Sequence, residues 1–548
     1  MAKLILGPVL RYVGETEAVV WVETDEPCTV QVLDHEEPTF CVARHHFALV
    51  VVEGLEPGGE YEYEVALDGE RRWPEEDSEF PPSVIRTLSG EGAVRFSFGS
   101  CRVSLPHHEP YVLPKDEHPD GREFDALCSL TQEMCRAPRE RWPQMLLMLG
   151  DQVYADEVSP QALAFIKSRR DVSAPPGEEV ADFEEYTALY REAWGDPTIR
   201  WLFSTVSCAM VVDDHDVHDD WNISAAWVED MREKGWWAKR ERAALASYWV
   251  YQFIGNLSPS VLRDHELYRQ VREADDAEEL LSSFATRERG KSDGARWSYC
   301  RDLNGSRLIV IDSRCGRVLE EGRRSILDEN EWEWLEEQMR GDFDHLLIGT
   351  SDPFLLAPGL HYMERWGEAM CAGAWGEGMS QAGEWIRRTL DFDHWAAFGD
   401  SFERLAGMLA ACGAGEYGRP PASITVLSGD VHHAYLAAVA FPRSAEVKSA
   451  VWQAVCSPYR NALKRSERSV IEFGNSRPGT AIGRLLARSA GVGPQPIQWK
   501  LVEGPAYDNQ IATITLEGRT ASMRLERTVG DPETDKHELH ESFEQSLT

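Results

Sequence analysis

The chain has 548 residues, 43% hydrophobic and 27% charged, enough for two or more domains with a sizeable core. A formal net charge of −37 excludes non-specific attraction to nucleic-acid backbones and anionic membranes. No run approaches the ~20 apolar residues of a membrane span. The eleven cysteines, odd in number and without a C-x-x-C pair, argue for reduced thiols rather than a disulfide framework.

The first residues, MAKLILGPVLRYVGE, carry one Lys and too short an apolar segment for a secretory signal, so a cytoplasmic location is expected. From about Gly7 to Thr87 the chain reads as all-β. Residues 18–22 are β-branched and aromatic, residues 61–65 alternate strictly, and Asp68-Gly69 is a hairpin signal. This predicts an N-terminal β-sandwich of immunoglobulin or fibronectin type over residues 1–90. Its one histidine pair, His45-His46, points to opposite faces of a strand and reads as surface or packing residues. An acidic, Pro-rich linker, WPEEDSEFPPS at 73–83, leads to a larger α/β domain, 91–548, with insertions near 157–300 and 460–495.

Within that domain, six short apolar runs each end at once in a polar, chemically able residue. Residues 95–99 run into Ser100-Cys101, and Met145–Leu149 into Gly150, Asp151 and Tyr154. Residues 209–212 run into Asp213-Asp214-His215-Asp216, and 308–311 into Asp312-Ser313-Arg314. Residues 346–348 lead to Thr350-Ser351-Asp352, and 424–427 to Asp430-Val431-His432-His433. Apolar runs of this length are strands buried on both faces, and sites in open α/β sheets form outside strand carboxyl ends. Together the six ends predict one polynuclear metal site.

Between these runs, residues 123–135 read as a helix, and 156–205 as polar helices broken at 173–177. Residues 221–284 form an aromatic-rich helical insertion, read as helix packing, with a lid over the site as the alternative. Amphipathic helices are expected at 331–339 and 401–409. The 460–495 insertion begins with Arg460, Lys464, Arg465 and Arg468. A hairpin over 511–516 and 521–525 closes the chain, and the acidic tail after Gly530 reads as frayed.

After FSFGSC, the segments GDQVY, DDHDVHDDW, LIVIDSR and SGDVHH resemble, in this order, the PhoD-like alkaline phosphatase family, relatives of purple acid phosphatases among the calcineurin-like metallophosphoesterases. GPVLRYVGETEAVVWVET resembles that family's small β-sandwich, and YDNQIA at 507–512 its closing strands; only the two insertions are uncovered. The resemblance implies a four-layer αββα sandwich and a site of ferric iron with divalent cations, commonly calcium, with manganese or zinc as alternatives. Carried over by position, it implies Asp151 as the bridging carboxylate, Cys101 and Tyr154 as iron ligands, and Asp430 with His432 as the closing ligand pair. Asp214 falls where related enzymes have the Asn of GNH, and His215 matches their catalytic histidine.

The residue chemistry agrees. Asp151 offers two anionic oxygens to a pair of ions. Phenolate and thiolate suit a trivalent ion. His215 could hold or protonate a leaving oxygen. Such ions would polarise a phosphoryl oxygen and lower the pKa of a bound water towards ~7, making hydroxide available. Arg102, beside Cys101, is a candidate phosphate binder, and Arg314 reads as a structural ion-pair partner. Two segments depart from the family. A Trp-Asp pair appears as Trp395-Ala396, and GTSDPF leaves Ser351 or Asp352 as stand-in ligands. The expected function is a metal-dependent phosphoesterase acting on a small phosphomonoester or phosphodiester; the alternative is a non-hydrolytic binding protein on the same scaffold. Retention of Cys101, Asp151, Tyr154, Asp214, His215 and His432 favours the enzyme. Oligomeric state stays open.

Overall fold

Two β-sheets lie face to face at the centre of the computed structural model, which describes residues 1–288, 296–532 and 536–548. Residues 289–295, inside the insertion expected near 157–300, and 533–535, in the tail, lie outside the described residues. The first sheet has six strands. Val94–Gly99, Met145–Leu149 and Ser207–Val211 run parallel, and an antiparallel hairpin, Gln510–Glu517 with Thr520–Asp531, adds to Val94–Gly99. The second has seven, with Ser306–Ile311, His345–Thr350, Ser423–Ser428 and Ala450–Val455 parallel at its centre. All six apolar runs are therefore strands, and parallel pairing brings their carboxyl ends to the same edge of each sheet.

Side-chain alternation sets the layers. On Ser306–Ile311, Leu308 and Val310 join the apolar cluster between the sheets, while Ile309 and Ile311 face the helices. Leu347 and Leu427 likewise face inward, and Leu346, Ile348, Ile424 and Val426 outward. Gly349 lies so near the opposite sheet that an added Cβ would sit 3.3 Å from Leu149. The outward face is covered by the helices Glu329–Gln338 and Gly399–Ala414 through Trp332, Leu335, Phe402 and Leu405. Each such buried side chain contributes roughly 1.5–3 kcal/mol.

The N-terminal region is β-sheet-rich, with two four-stranded sheets and a two-stranded one. Along Glu17–Thr24, Val20 and Val22 face one core, while Val19 and Trp21 join the apolar cluster of the larger part of the chain. Trp21 meets Trp194 and Tyr251 at ring-centroid distances of 5.9 and 5.3 Å. The fully buried Arg11 donates to the carbonyls of Tyr251, at 2.6 Å, and Gln252, and to Asn256 Oδ1 at 3.1 Å. His45 lies at the same seam, with Nδ1 3.2 Å from Glu23 and Nε2 2.8 Å from Glu184.

The aromatic-rich insertion is helical, and Trp227, Trp237, Trp249 and Tyr251 are all buried, as the packing reading expects. It contains a π-helical turn, Tyr248–Phe253, from which Gln252 reaches Asp216 Oδ1 at 3.1 Å. The tail corrects the expectation of fraying: Lys536–Ser546 is the edge strand of the six-stranded sheet, antiparallel to Thr520–Asp531. Its charged residues mask a register in which Leu525 faces Phe543, and His537 stacks on Phe124. No helix among the described residues is long and apolar enough to cross a membrane.

Candidate metal centre

Four residues at the strand ends share an uncommon backbone. Cys101, Asp151, Asp430 and His432 all lie in the left-handed region, at φ of 55°, 52°, 64° and 52°. For non-glycine residues this costs on the order of 1–3 kcal/mol each, and it persists where surrounding structure imposes it. Part of that imposition is steric. Gly150 has φ 106°, and a Cβ there would sit 2.4 Å from Asp213 Cβ; at Gly429 it would sit 2.0 Å from Ser100 Oγ. The two glycines let four strand ends close on one another.

There, Cys101, Asp151 and His432 place one ligand atom each within 4.8 Å of one another. Tyr154 joins them, its hydroxyl 3.2 Å from Asp151 Oδ2 and 3.4 Å from Asn461 Nδ2. A second group, Asp151, Asp213 and Asp214, meets the same distance criterion, as does a third, Asp213, Asp352 and Asp430. Asp151 Oδ1, Asp213 Oδ2 and Asp214 Oδ1 are buried and accept no hydrogen bond. Burial, reinforced by Asp151, pushes the Cys101 thiol and the Tyr154 phenol well above their ordinary values. Burial likewise pushes the Asp151 carboxyl up. Burial and the nearby Lys115 pull His432 down to about 3, leaving a neutral imidazole with a lone pair to give. The chain by itself would keep these acids protonated, and bound cations hold such donors as anions. Sulfur, phenol, imidazole and unpartnered carboxylate oxygens on a preformed backbone thus fit metal ions.

His215 stands beside this set. Its Nδ1 is 3.0 and 3.1 Å from the two oxygens of Asp156, and its ring lies 4.7 Å from that of Tyr154. Although burial opposes the charge, Asp156 and then Asp214 raise the imidazole well above its ordinary value. Asp156, to which sequence reading assigned no role, also accepts from Asp219 N at 2.6 Å. A second histidine was missed altogether. His394 Nε2 is 3.0 Å from Asp430 Oδ2, and its Nδ1 is 2.6 Å from the buried Glu364. It precedes Trp395 directly, so the segment that lacks the family's Trp-Asp acid supplies an imidazole instead.

The two arginines fall differently from expectation. Arg102 is turned away from the cluster, with Nε 2.7 Å from Asp125 and Nη1 donating to Ala193 O at 2.6 Å. Asp125, which caps the helix Ala126–Arg136, holds it there, so the candidate phosphate binder is corrected to a buried ion-pair partner. Arg314 is an ion-pair residue as read, but at the centre. Its guanidinium lies 2.6 Å from Asp213 and 2.8 Å from Asp352, pairs with Asp393, and stands 3.5 and 3.7 Å from Asp214 and Asp430. Arg317 also pairs with Asp352, at 2.9 Å, so that stand-in ligand carries two counter-ions. Ser351 Oγ is 2.8 Å from Ser313 Oγ. His433 turns to Val431 O and stacks on Tyr435.

A family model described as PhoD-like phosphatase matches residues 129–477, and one described as a domain of unknown function (DUF7800) matches residues 1–85. Among solved structures, one of PhoD aligns with TM-score 0.60 at 13% identity, covering 100% of this chain and 90% of that one. A purple acid phosphatase from yellow lupin (Lupinus luteus) seeds aligns with TM-score 0.49 at 11% identity, covering 98% and 74%. Comparison with curated proteins gives no match.

Proposed function

The chain belongs to the PhoD-like phosphatase family, and on that premise we propose that its strand-end cluster is the active site of a metal-dependent phosphoesterase hydrolysing phosphomonoesters or phosphodiesters. The observation that carries this reading is the set of buried carboxylate oxygens on Asp151, Asp213 and Asp214 that accept no hydrogen bond, beside the left-handed Cys101, Asp151, Asp430 and His432. Cys101, Asp151, Tyr154 and His432 would hold one ion, with a donor set suited to ferric iron. Asp151, Asp214 and Asp430 would hold divalent ions such as calcium, with Asp213 alongside. When bound, these ions supply Lewis-acid charge for the phosphoryl oxygens and for deprotonating water.

The chain's own groups do the rest. Asp156 fixes the proton of His215 on Nδ1 and stabilises the imidazolium, which presents Nε2 to hold or protonate the leaving oxygen. Burial pushes the Asp213 carboxyl well up, and Arg314 opposes that shift and holds the group in place by charge-assisted hydrogen bonding. His394 and Glu364 orient Asp430 from behind, as outer partners of ligands do. The test is hydrolysis of an aryl phosphodiester and monoester by purified protein, before and after chelation, with metal content measured. Activity is expected to vanish on chelation, and Asp151→Asn to remove metal and activity together. A fully active Asp151→Asn protein would refute the assignment.

A further inference from the structure

Exposed apolar side chains are ordinary when scattered and informative when gathered. Of the twelve large ones among the described residues, eight fall in two segments, 375–390 and 470–485. The second belongs to a helix pair, Arg465–Asn475 and Arg477–Ser489, inside the insertion at 460–495. Small residues fix which side of the pair is packed. Gly479, Gly483 and Ala487, four apart, lie against the helix Pro358–Cys371, and a Cβ at Gly483 would sit 2.5 Å from Gly359 O. That seating leaves Ile482 and Leu485 outside, 48% and 69% exposed, while Val470 and Phe473 on the other helix are 60% and 47% exposed.

The outer side is also basic. Arg477, Arg484 and Arg488, spaced seven and four, line up along one flank of their helix. All three are exposed, and no carboxylate pairs with them among the described residues. Residues 460–495 hold seven Lys/Arg and two Asp/Glu, a net charge of +5, which leaves −42 for the rest of the chain. Arg484 and Arg488 border a cavity of about 560 Å³ together with Tyr362, Thr480, Gln495 and Trp499. The Arg484 guanidinium lies 5.3 Å from the centre of the Tyr362 ring, and both amide atoms of Gln495 are buried without a hydrogen bond.

We infer that this helix pair docks on an anionic phospholipid surface, with Arg484 and Arg488 taking headgroup phosphate oxygens at the cavity and Phe473, Ile482 and Leu485 entering the headgroup layer. An arginine flank beside a Leu/Ile/Phe ridge is the composition of a helix that lies in a membrane interface. The surface goes beyond the phosphoesterase reading and shares no residue with the metal cluster. The net −37 denies an anionic membrane any non-specific hold on the chain. Charges farther than about 8 Å are screened at physiological ionic strength, however, so a surface touching these helices meets their +5.

The experiment floats the full-length protein with phosphatidylcholine vesicles, with and without phosphatidylglycerol, at physiological salt. Wild type is compared with the double variant Arg484→Gln/Arg488→Gln and with Leu485→Ser, all at exposed positions. Circular dichroism and turnover of a soluble aryl phosphate ester follow the fold and the site, and both should be unchanged. Wild type is expected to float only when phosphatidylglycerol is present. The double variant should lose about thirtyfold in vesicle affinity, roughly fivefold for each basic residue at the surface. Leu485→Ser should lose about tenfold. Equal binding to both vesicles, binding to neither, or variants that float as wild type does would overturn the inference. Inorganic phosphate held by Arg484 and Arg488 without vesicle binding overturns it too, as does a dimer that Leu485→Ser dissociates and that ignores vesicles. A wild type that floats but hydrolyses no ester defeats the phosphoesterase reading and leaves the lipid surface standing.

Discussion

Replacing Asp156 with Asn isolates what the histidine's partner does from what the metals do. The carboxylate touches none of the candidate ligands; its oxygens lie 3.0 and 3.1 Å from His215 Nδ1 and accept from Asp219 N. At 3.0 Å, in a medium of effective dielectric ~20, the imidazolium–carboxylate attraction is about 5 kcal/mol. At about 1.4 kcal/mol per decade, that caps the effect on rate near 10⁴. Asn keeps the size and can still accept from Asp219 N, but its amide N–H facing Nδ1 forces the other tautomer. We expect kcat to fall by about 10²–10⁴. Metal content and melting temperature should hold, and the basic limb of the pH–rate profile should move down, because His215 loses the neighbour that raises it most. The assay is steady-state turnover of an aryl phosphodiester across pH, beside elemental analysis of the same preparations. An Asp156→Asn enzyme with full metal and kcat within threefold of wild type would show that His215 acts without this carboxylate, or does not act.

Arg314→Met should destabilise the metal-free protein by about 3–5 kcal/mol, as breaking buried ion pairs does, because Asp213, Asp352 and Asp393 lose a shared counter-ion. Denaturant melts showing less than ~1 kcal/mol would contradict the central role of that guanidinium. With ferric iron bound, the protein should absorb visible light, since a phenolate and a thiolate donate charge to an oxidising cation and d¹⁰ zinc gives no such band. Tyr154→Phe should keep the fold, its hydroxyl making hydrogen bonds at 3.2 and 3.4 Å among the described residues, and should shift or abolish the band; an identical spectrum rules out tyrosinate ligation. His45 is buried, which opposes its charge, yet Glu23 and Glu184 raise it above its ordinary 6.5. Its stabilisation is therefore complete below about pH 6.5 and lost as pH rises through the higher folded value. Unfolding midpoints compared at about pH 6 and 9 should differ less in His45→Gln than in wild type.

The strands and their chemical ends were legible because both signals are local. An apolar run that stops at Asp or Cys is visible in a window of eight residues, and Met145–Leu149 followed by Asp151 needs no partner to be read. Packing sides were legible too, since alternation along Ser306–Ile311 follows from strand geometry alone. What escaped is what the fold brings from afar. Asp156 meets His215 across 59 residues, and His394 meets Asp430 across 36. Arg102 sits next to Cys101 in sequence, but past the strand end the buried Asp125 claims its side chain. An arginine's reach hides its partners, so Arg314 read as structural without showing that it knits three acids. The tail misled because half of a charged edge strand faces water.

The seam between the N-terminal sheets and the rest of the chain bears on how the protein is made. Trp21, Leu49 and Arg11 are ready early in synthesis, but their partners Trp194, Tyr251 and Asn256 follow only after a long stretch of chain, up to 245 residues for Asn256. At ~5–20 residues per second, the nascent chain presents part of that face uncovered for about 12–50 seconds. During that interval it holds a large aromatic surface and an unpaired guanidinium against water. Until the π-helical turn Tyr248–Phe253 leaves the ribosome, the first domain has an outside that is meant to be an inside.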